Sequence, residues 1–228
     1  MAIVLGNYTF DETRTTVTEK WDEVAGRDAR IIQIKGVVDG LASPELLATA
    51  LDAILKAASE GEEHTVLSLR SGRRLYVRRT GSSREIQRDA LVGTFVLTLE
   101  TQNPFEESET VMNVAWSITE SGGSTLITAA GSAPALPVIM LTAIGTVMEP
   151  CISDGTRQIV YPGIVSNGKS LVLDSAARTA ILDGLDVTPY TTGLFPQLMP
   201  GGTTLVYTDS FDSSHRVTAN VAYRDRWW

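Results

Sequence analysis

The sequence predicts a mainly β chain arranged as two domains with one α-helix. Three observations lead to this. Short runs of alternating or β-branched apolar residues recur along the chain, separated by Gly, Pro, Asn, Asp or Ser. A single segment carries an apolar stripe at helical spacing. Charge and composition also change near TQNPFEESET (101–110): residues 1–110 hold 13 Lys and Arg and 18 Asp and Glu, whereas residues 111–228 hold 6 and 9 and are richer in Thr, Ser, Gly and Pro. The expected domains are 1–110 and 111–228, with Pro104 and the Glu106, Glu107, Glu109 cluster as an exposed connection.

The helix is read from SPELLATALDAILKAAS. Ser43 supplies an N-cap oxygen, and Pro44 stands at the first helical position, where a missing N–H matters least. Glu45 suits the positive end of the helix dipole. Leu47, Leu51, Ile54, Leu55 and Ala58 form one stripe that must pack on a sheet, and Gly61 is the expected stop.

The remaining elements read as strands. DARIIQIKGVV is β-branched, and TVLSLRSGRRLYVRR is a hairpin turning at Ser71-Gly72. In GTFVLTLE, Phe95, Leu97 and Leu99 share one face and Thr94, Thr98 and Glu100 the other. VMNVAWSI, STLITAA, PVIMLTAI, RQIVYPG, KSLVLD, TAILDG, TTLVYT and RVTANVAY continue the series, and their even spacing predicts a sandwich. In the last of them Val217, Ala219, Val221 and Tyr223 alternate with polar residues, so one face is buried. Trp227 continues that face and Trp228 the opposite one, which makes Trp228 a candidate contact between subunits or domains.

Composition narrows the function. Hydrophobic residues make up 43% of the chain and charged residues 20%, a globular balance. A net charge of -8 opposes specific nucleic-acid binding, which needs a basic surface. The longest apolar run, APALPVIMLTAIGTVM, is broken by Pro134, Pro137 and Gly145 and is too short to cross a bilayer, and the N-terminus lacks the basic start of a secretory signal, so no membrane association is expected. The lone Cys151 forms neither an intrachain disulfide nor a paired metal site and reads as a small buried apolar residue.

No catalytic, cofactor or metal site is evident. Neither histidine belongs to a metal or catalytic motif: His64 and His215 lie in polar stretches and read as solvated. SGGST and PGGTT are glycine turns without the lysine and helix start that cradle phosphate. The clusters Glu60, Glu62, Glu63 and Glu106, Glu107, Glu109 read as solvated loop edges, so no enzyme is expected. One charge feature stands out. Arg70, Arg73, Arg74, Arg78, Arg79, Arg84 and Arg88 crowd one stretch of an acidic chain. Two readings stay open: a polar strand face balancing local acids, or an interface meeting acidic groups of a neighbouring subunit.

The terminal third carries a motif series. Phe195, Pro196, Leu198, Pro200 and Gly201 are followed by a strand, a turn and a closing strand that ends in Tyr223, Arg224, Arg226 and Trp227. Upstream lie Gly131, Ala133, Pro134 and Pro137. The prolines fix φ and bar a central ladder at their positions, while Gly201-Gly202 lets the chain turn at positive φ. This series resembles the end of the distal tail proteins of long-tailed bacteriophages, with a departure at Gly202-Thr203, where relatives often begin the strand with Asn. The resemblance is close from Gly131 onward and topological before it.

That resemblance implies a tail-tube-like N-terminal β-sandwich or barrel with one helix, and a galectin-like C-terminal sandwich, with both destinations open for the last strand. It implies a hexameric ring at the lower end of the tail tube that joins the tube protein above to the tail-tip hub below. A receptor-binding protein and the tape measure are further partners. The chain would be made in the bacterial host cytoplasm and reside at the virion tail tip, without cofactors. Two alternatives are weighed against it. One is a carbohydrate-binding sandwich with Trp116, Trp227, Trp228 or Trp21 as aromatic platform; the other is the tail-tube subunit itself.

Overall fold

The computed structural model describes residues 2–24, 27–58, 64–101 and 103–228. Gly61 and the Glu60, Glu62, Glu63 cluster lie outside them. The chain divides into two compact units, Met1–Glu109 and Thr110–Trp228.

The first unit contains β1 (Val4–Leu5), β2 (Tyr8–Thr9), β3 (Thr15–Val24), β4 (Arg27–Val38), α1 (Pro44–Ala57), β5 (Thr65–Ser68), β6 (Arg73–Gln87), β7 (Val92–Thr101) and β8 (Glu106–Ser108). The antiparallel sheet runs β2-β1-β5-β6-β7-β4-β3, and β8 adds to β6. The Ser43 Oγ accepts from the Leu46 N–H at 3.3 Å, and Leu47, Leu51 and Ile54 of α1 are buried among Ile32, Ile34, Leu75, Phe95, Leu97 and Leu99.

Two strands exceed what the apolar pattern indicates. β3 is built on TTVTEKWDEV, which has no apolar face, yet it pairs with β4 over its whole length, from Thr15 opposite Gly36 to Val24 opposite Arg27. The backbone ladder defines it, and Val17 packs against the core. β6 continues past Arg79 through a bulge between Arg79 and Gly81 and follows β7 to Gln87.

Glu106 overturns the reading of 104–109 as a solvated connection. Its side chain is 2% exposed and meets Arg30, also 2% exposed, at 3.1 Å. Arg70 pairs with the same carboxylate, and Arg73 reaches its other oxygen at 3.3 Å. Arg30 also binds Glu19 of β3, donates from its guanidinium to the Pro104 carbonyl at 3.4 Å, and donates its backbone N–H to the Thr101 hydroxyl at 3.1 Å. The charges are buried because each is compensated several times over.

The arginine-rich stretch is engaged within this unit. Arg74 lies 3.9 Å from Glu107, with its guanidinium 5.0 Å from the Tyr76 ring, and Arg78 meets Glu100 at 3.3 Å. Arg79 donates to the Leu55 carbonyl, and Arg84 pairs with Asp52.

The second unit is all β apart from a 3-10 turn at Thr188–Tyr190. It contains β9 (Met112–Ile118), β10 (Ser124–Ile127), β11 (Val138–Ala143), β12 (Val147–Met148), β13 (Cys151–Ser153), β14 (Gln158–Val160), β15 (Ile164–Val165), β16 (Ser170–Asp174), β17 (Thr179–Leu182), β18 (Leu185–Asp186), β19 (Thr192–Gly193), β20 (Thr203–Thr208), β21 (Val217–Tyr223) and β22 (Arg226–Trp227). One antiparallel sheet runs β18-β17-β16-β11-β21-β9 and another β10-β20-β13-β14-β19, with β12 and β15 as a separate ribbon. Both sheets contribute to one buried cluster that includes Trp116, Ile139, Leu141, Leu171, Ile152, Ile159, Leu205 and Tyr207, which is the construction of a sandwich.

In β21, Val217, Ala219, Val221 and Tyr223 form the buried face, as the alternation predicts. Cys151 does not: it is half-buried, in the row of Thr208 and Val160, because the strand's alternation gives the core position to Ile152. His215 is not simply solvated either. Its Nδ1 lies 2.6 Å from Asp209 Oδ1, and the Asp209 side chain is fully buried.

Replacing Glu106 by Gln is expected to destabilise the first unit by about 3–5 kcal/mol, since it leaves buried Arg30 short of a countercharge. Denaturant unfolding of the whole chain checks this, and a change within about 0.5 kcal/mol would refute the role assigned to the pair.

Candidate functional site

The segments that carry the terminal motifs are distant in sequence and meet in the second unit. Residues 129–135 form an extended segment bonded on both flanks. On one side Ala133 donates to the Arg226 carbonyl at 2.9 Å. On the other, Ala135 donates to the Leu198 carbonyl at 2.8 Å and accepts from the Leu198 N–H at 2.9 Å. Ala129 bridges Pro200 in parallel.

Side chains reinforce this contact. The Asp225 carboxylate accepts from the Ala130 N–H at 2.8 Å, the Tyr223 hydroxyl donates to the Thr128 carbonyl at 3.1 Å, and the Arg226 guanidinium donates to the Pro134 carbonyl at 3.1 Å. The Ser132 hydroxyl takes the Trp228 N–H at 3.2 Å. Burial, followed by the charge of Asp225, raises the Tyr223 pKa, so the phenol stays a neutral donor.

Each motif residue has a local physical reason. A Cβ on Gly131 would lie 2.0 Å from the Arg226 carbonyl oxygen, so only glycine allows the two backbones to approach. Pro134 offers no N–H, and its carbonyl is the part that is used. Pro137 is buried and accepts from the Ser175 N–H at 3.0 Å. Leu198 is fully buried, Pro196 is buried, and Phe195 packs against the same core. Gly201 and Gly202 have φ of 86° and 138°, and the Thr203 hydroxyl accepts the Met199 N–H at 2.7 Å to fix the turn. Arg224 and Trp227 are half-buried, and Trp228 is 62% exposed.

One member of this arrangement has no sequence signal. Asp154 lies in the hairpin turn between β13 and β14, far from the motif in sequence. Its Oδ1 accepts from Thr156 at 2.8 Å and Arg157 at 2.7 Å, while Oδ2 accepts from the Gln197 N–H at 2.9 Å. It therefore pins the loop that carries Phe195 and Leu198. Burial pushes its pKa up, but the N–H groups of Gln197, Arg157 and Thr156 and the Arg157 charge outweigh that, and the carboxyl is held below its usual value. Only the fold could reveal this contact, since an Asx turn is a common use of Asp.

The aromatic candidates separate. Trp116 faces the core and offers no platform, Trp21 is 43% exposed with the Arg30 guanidinium 5.6 Å from its ring, and Trp228 is exposed. Among the described residues no group of three or more His, Cys, Asp or Glu could hold a metal ion. The converging motifs form a backbone joint, built of hydrogen bonds and close packing.

Comparison with known proteins agrees with this picture. Residues 130–227 match the SPP1 Dit family model, described as the C-terminal domain of the siphovirus-type tail component. The fold is similar to the crystal structure of the Dit protein of phage SPP1, described as a paradigm of the hub adsorption apparatus in phages infecting Gram-positive hosts. That likeness has a TM-score of 0.71 at 13% identity and covers 100% of this chain and 99% of the other. No protein of curated function matches.

Two predictions follow from the joint. Gly131→Ala is expected to destabilise by about 3 kcal/mol or more, since a fixed carbonyl occupies the new methyl position. Gly201→Ala, in open space, loses only about 1–2 kcal/mol, the conformational term; equal losses in thermal unfolding would refute the close-approach argument. Asp154→Asn is expected to lower stability by about 1–3 kcal/mol at pH 7. Because the folded pKa of Asp154 is depressed, its contribution is fully present above the unfolded carboxylate range and disappears as pH falls through the folded value. The gap between wild type and variant should therefore close in acid; a gap independent of pH would rule the effect out.

Proposed function

We infer, for a chain that belongs to the Dit-type distal tail proteins of siphoviruses, that six copies close into a ring joining the tail tube to the tail-tip hub. The role is structural and not catalytic. The first unit builds the ring. The observation that carries this reading is the match of residues 130–227 to the siphovirus-type tail component domain, whose motif segments meet in one backbone joint. The whole-length likeness to a Dit fold supports it.

A ring subunit meets its neighbours through heterologous, head-to-tail contacts and must stay rigid while it does so. The buried Arg30–Glu106 pair and the long ladders of β3, β4, β6 and β7 supply that rigidity in the first unit. Arg70 and Arg73 are tied to Glu106, so the interface role falls on exposed apolar groups, of which Trp228 is one. The tube protein above, the hub below, a receptor-binding protein and the tape measure are the proposed partners, and the tail tip of the virion is the proposed location.

Purified protein is expected to reach six times the subunit mass in light scattering as concentration rises, and to give single six-fold rings in negative stain. A strict monomer that is also absent from particles would overturn the proposal, and long filaments would point to a tube subunit. Trp228→Ala should reduce ring formation while the monomer's melting temperature stays within about 2 °C, in keeping with a surface change. Arg73→Glu should lower that temperature by bringing a second carboxylate against Glu106.

A further inference from the structure

We propose that residues 209–216, the connection between β20 and β21, form a preformed knob that docks into an apolar pocket with a basic rim on another protein of the tail. The inference rests on the tail-component reading for where the partner is sought. Phe211 carries it: the side chain is 93% exposed, whereas no other large apolar side chain among the described residues exceeds 68%.

The loop that presents it is held along its length. Ser210 donates to the Met148 carbonyl at 2.9 Å and Ser214 to the Thr146 carbonyl at 2.8 Å, while the Ser213 hydroxyl accepts from the Met148 N–H at 3.1 Å. The Asp209 N–H donates to the Ser121 hydroxyl at 3.1 Å. The wholly buried Asp209 carboxylate accepts from the Tyr207 hydroxyl at 2.9 Å and faces His215 Nδ1 at 2.6 Å. His215 itself sits at φ 55°, a conformation that non-glycine residues adopt at a cost. A buried carboxylate, a strained histidine and a clamped backbone all serve to hold out one fully exposed aromatic ring. Such a ring binds without first ordering its own loop, which is the usual way an aromatic anchor gains affinity.

The surroundings specify the partner. Met148, bonded to the loop, pairs with Ile164 of β15, which is 54% exposed, so the knob stands beside an apolar strip. Exposed Asp212 follows Phe211, exposed Glu149 follows Met148, and exposed Glu120 precedes Ser121, Met148 and Ser121 both being bonded to the loop, against one exposed cation on the loop, Arg216. None of the four forms an ion pair among the described residues. An excess of acids around an aromatic anchor fits a pocket edged by Arg or Lys. A second copy presenting the same face would oppose acid to acid.

The test places p-benzoylphenylalanine at position 211 of the full chain in assembled particles, followed by irradiation and peptide mapping. The expected adduct lies on a different protein, at apolar residues flanked by Arg or Lys. Phe211→Ser should lower the occupancy of that protein on the particles by about 30-fold in affinity, with the variant's melting temperature unchanged. The double variant Glu149→Lys with Asp212→Lys should weaken it further as salt is lowered. If the chain is in the particles and position 211 yields no adduct, or an adduct only with another copy of itself, the inference is overturned. Unchanged partner occupancy in Phe211→Ser would also overturn it. Should Phe211→Ser itself fail to enter particles, the cross-linking result decides. Absence of the wild-type chain from particles would overturn the tail reading, and the inference with it.

Discussion

The second unit depends on the approach of the Gly131 backbone to that of Arg226. A segment from the middle of the chain, 129–135, is bonded on one flank to the loop at 198–200 and on the other to the last residues of the chain. The missing Cβ at Gly131 makes this spacing possible, and Pro134, which has no N–H to satisfy, gives its carbonyl to the Arg226 guanidinium. Phe195, Pro196 and Leu198 can face the core because their loop is fixed at both ends, by Asp154 at Gln197 and by Thr203 at Met199. Residues that read in sequence as a scattered signature are thus one mechanical object.

The first unit is organised around charge. Glu106 and Arg30 are fully buried, with Arg70, Arg73 and Glu19 completing the cluster, so β3, β4, β6 and β8 are cross-linked by charge as well as by ladders. Breaking such a cluster costs more than its formation contributes, because the remaining charge stays buried. Its value to a structural protein is geometric: the strands cannot slide without separating opposite charges. Most of the arginines in this stretch are spoken for in the same way, which moves attention to exposed apolar groups as points of contact with other proteins.

Both units therefore spend polar chemistry on holding backbone in place. Tyr207, Asp209 and His215 could suggest acid–base chemistry when seen alone, but in position they brace a loop, and burial together with the Asp209 hydrogen bond and charge drives the Tyr207 phenol far above its usual range. A structural component of a tail needs surfaces held in fixed register, and the arrangement of these groups suits that need.

The sequence by itself determined the elements whose signal is local. The cap and stripe of α1, the alternation of β21, the positive φ of Gly201-Gly202 and the resemblance of the terminal third all depend on residues a few positions apart, where periodicity and turn chemistry act directly. Tertiary structure alone decided the rest. β3 exists through its ladder to β4, and the half-burial of Cys151 follows from strand register. The burial of Glu106, the tie from Asp154 to Gln197 and the bracing of His215 each need a partner distant in sequence or placed by a turn. A carboxylate in a sequence is equally consistent with solvent and with a buried ion pair; which one it joins is fixed only when the fold brings its countercharge within a few ångströms and removes the water between them.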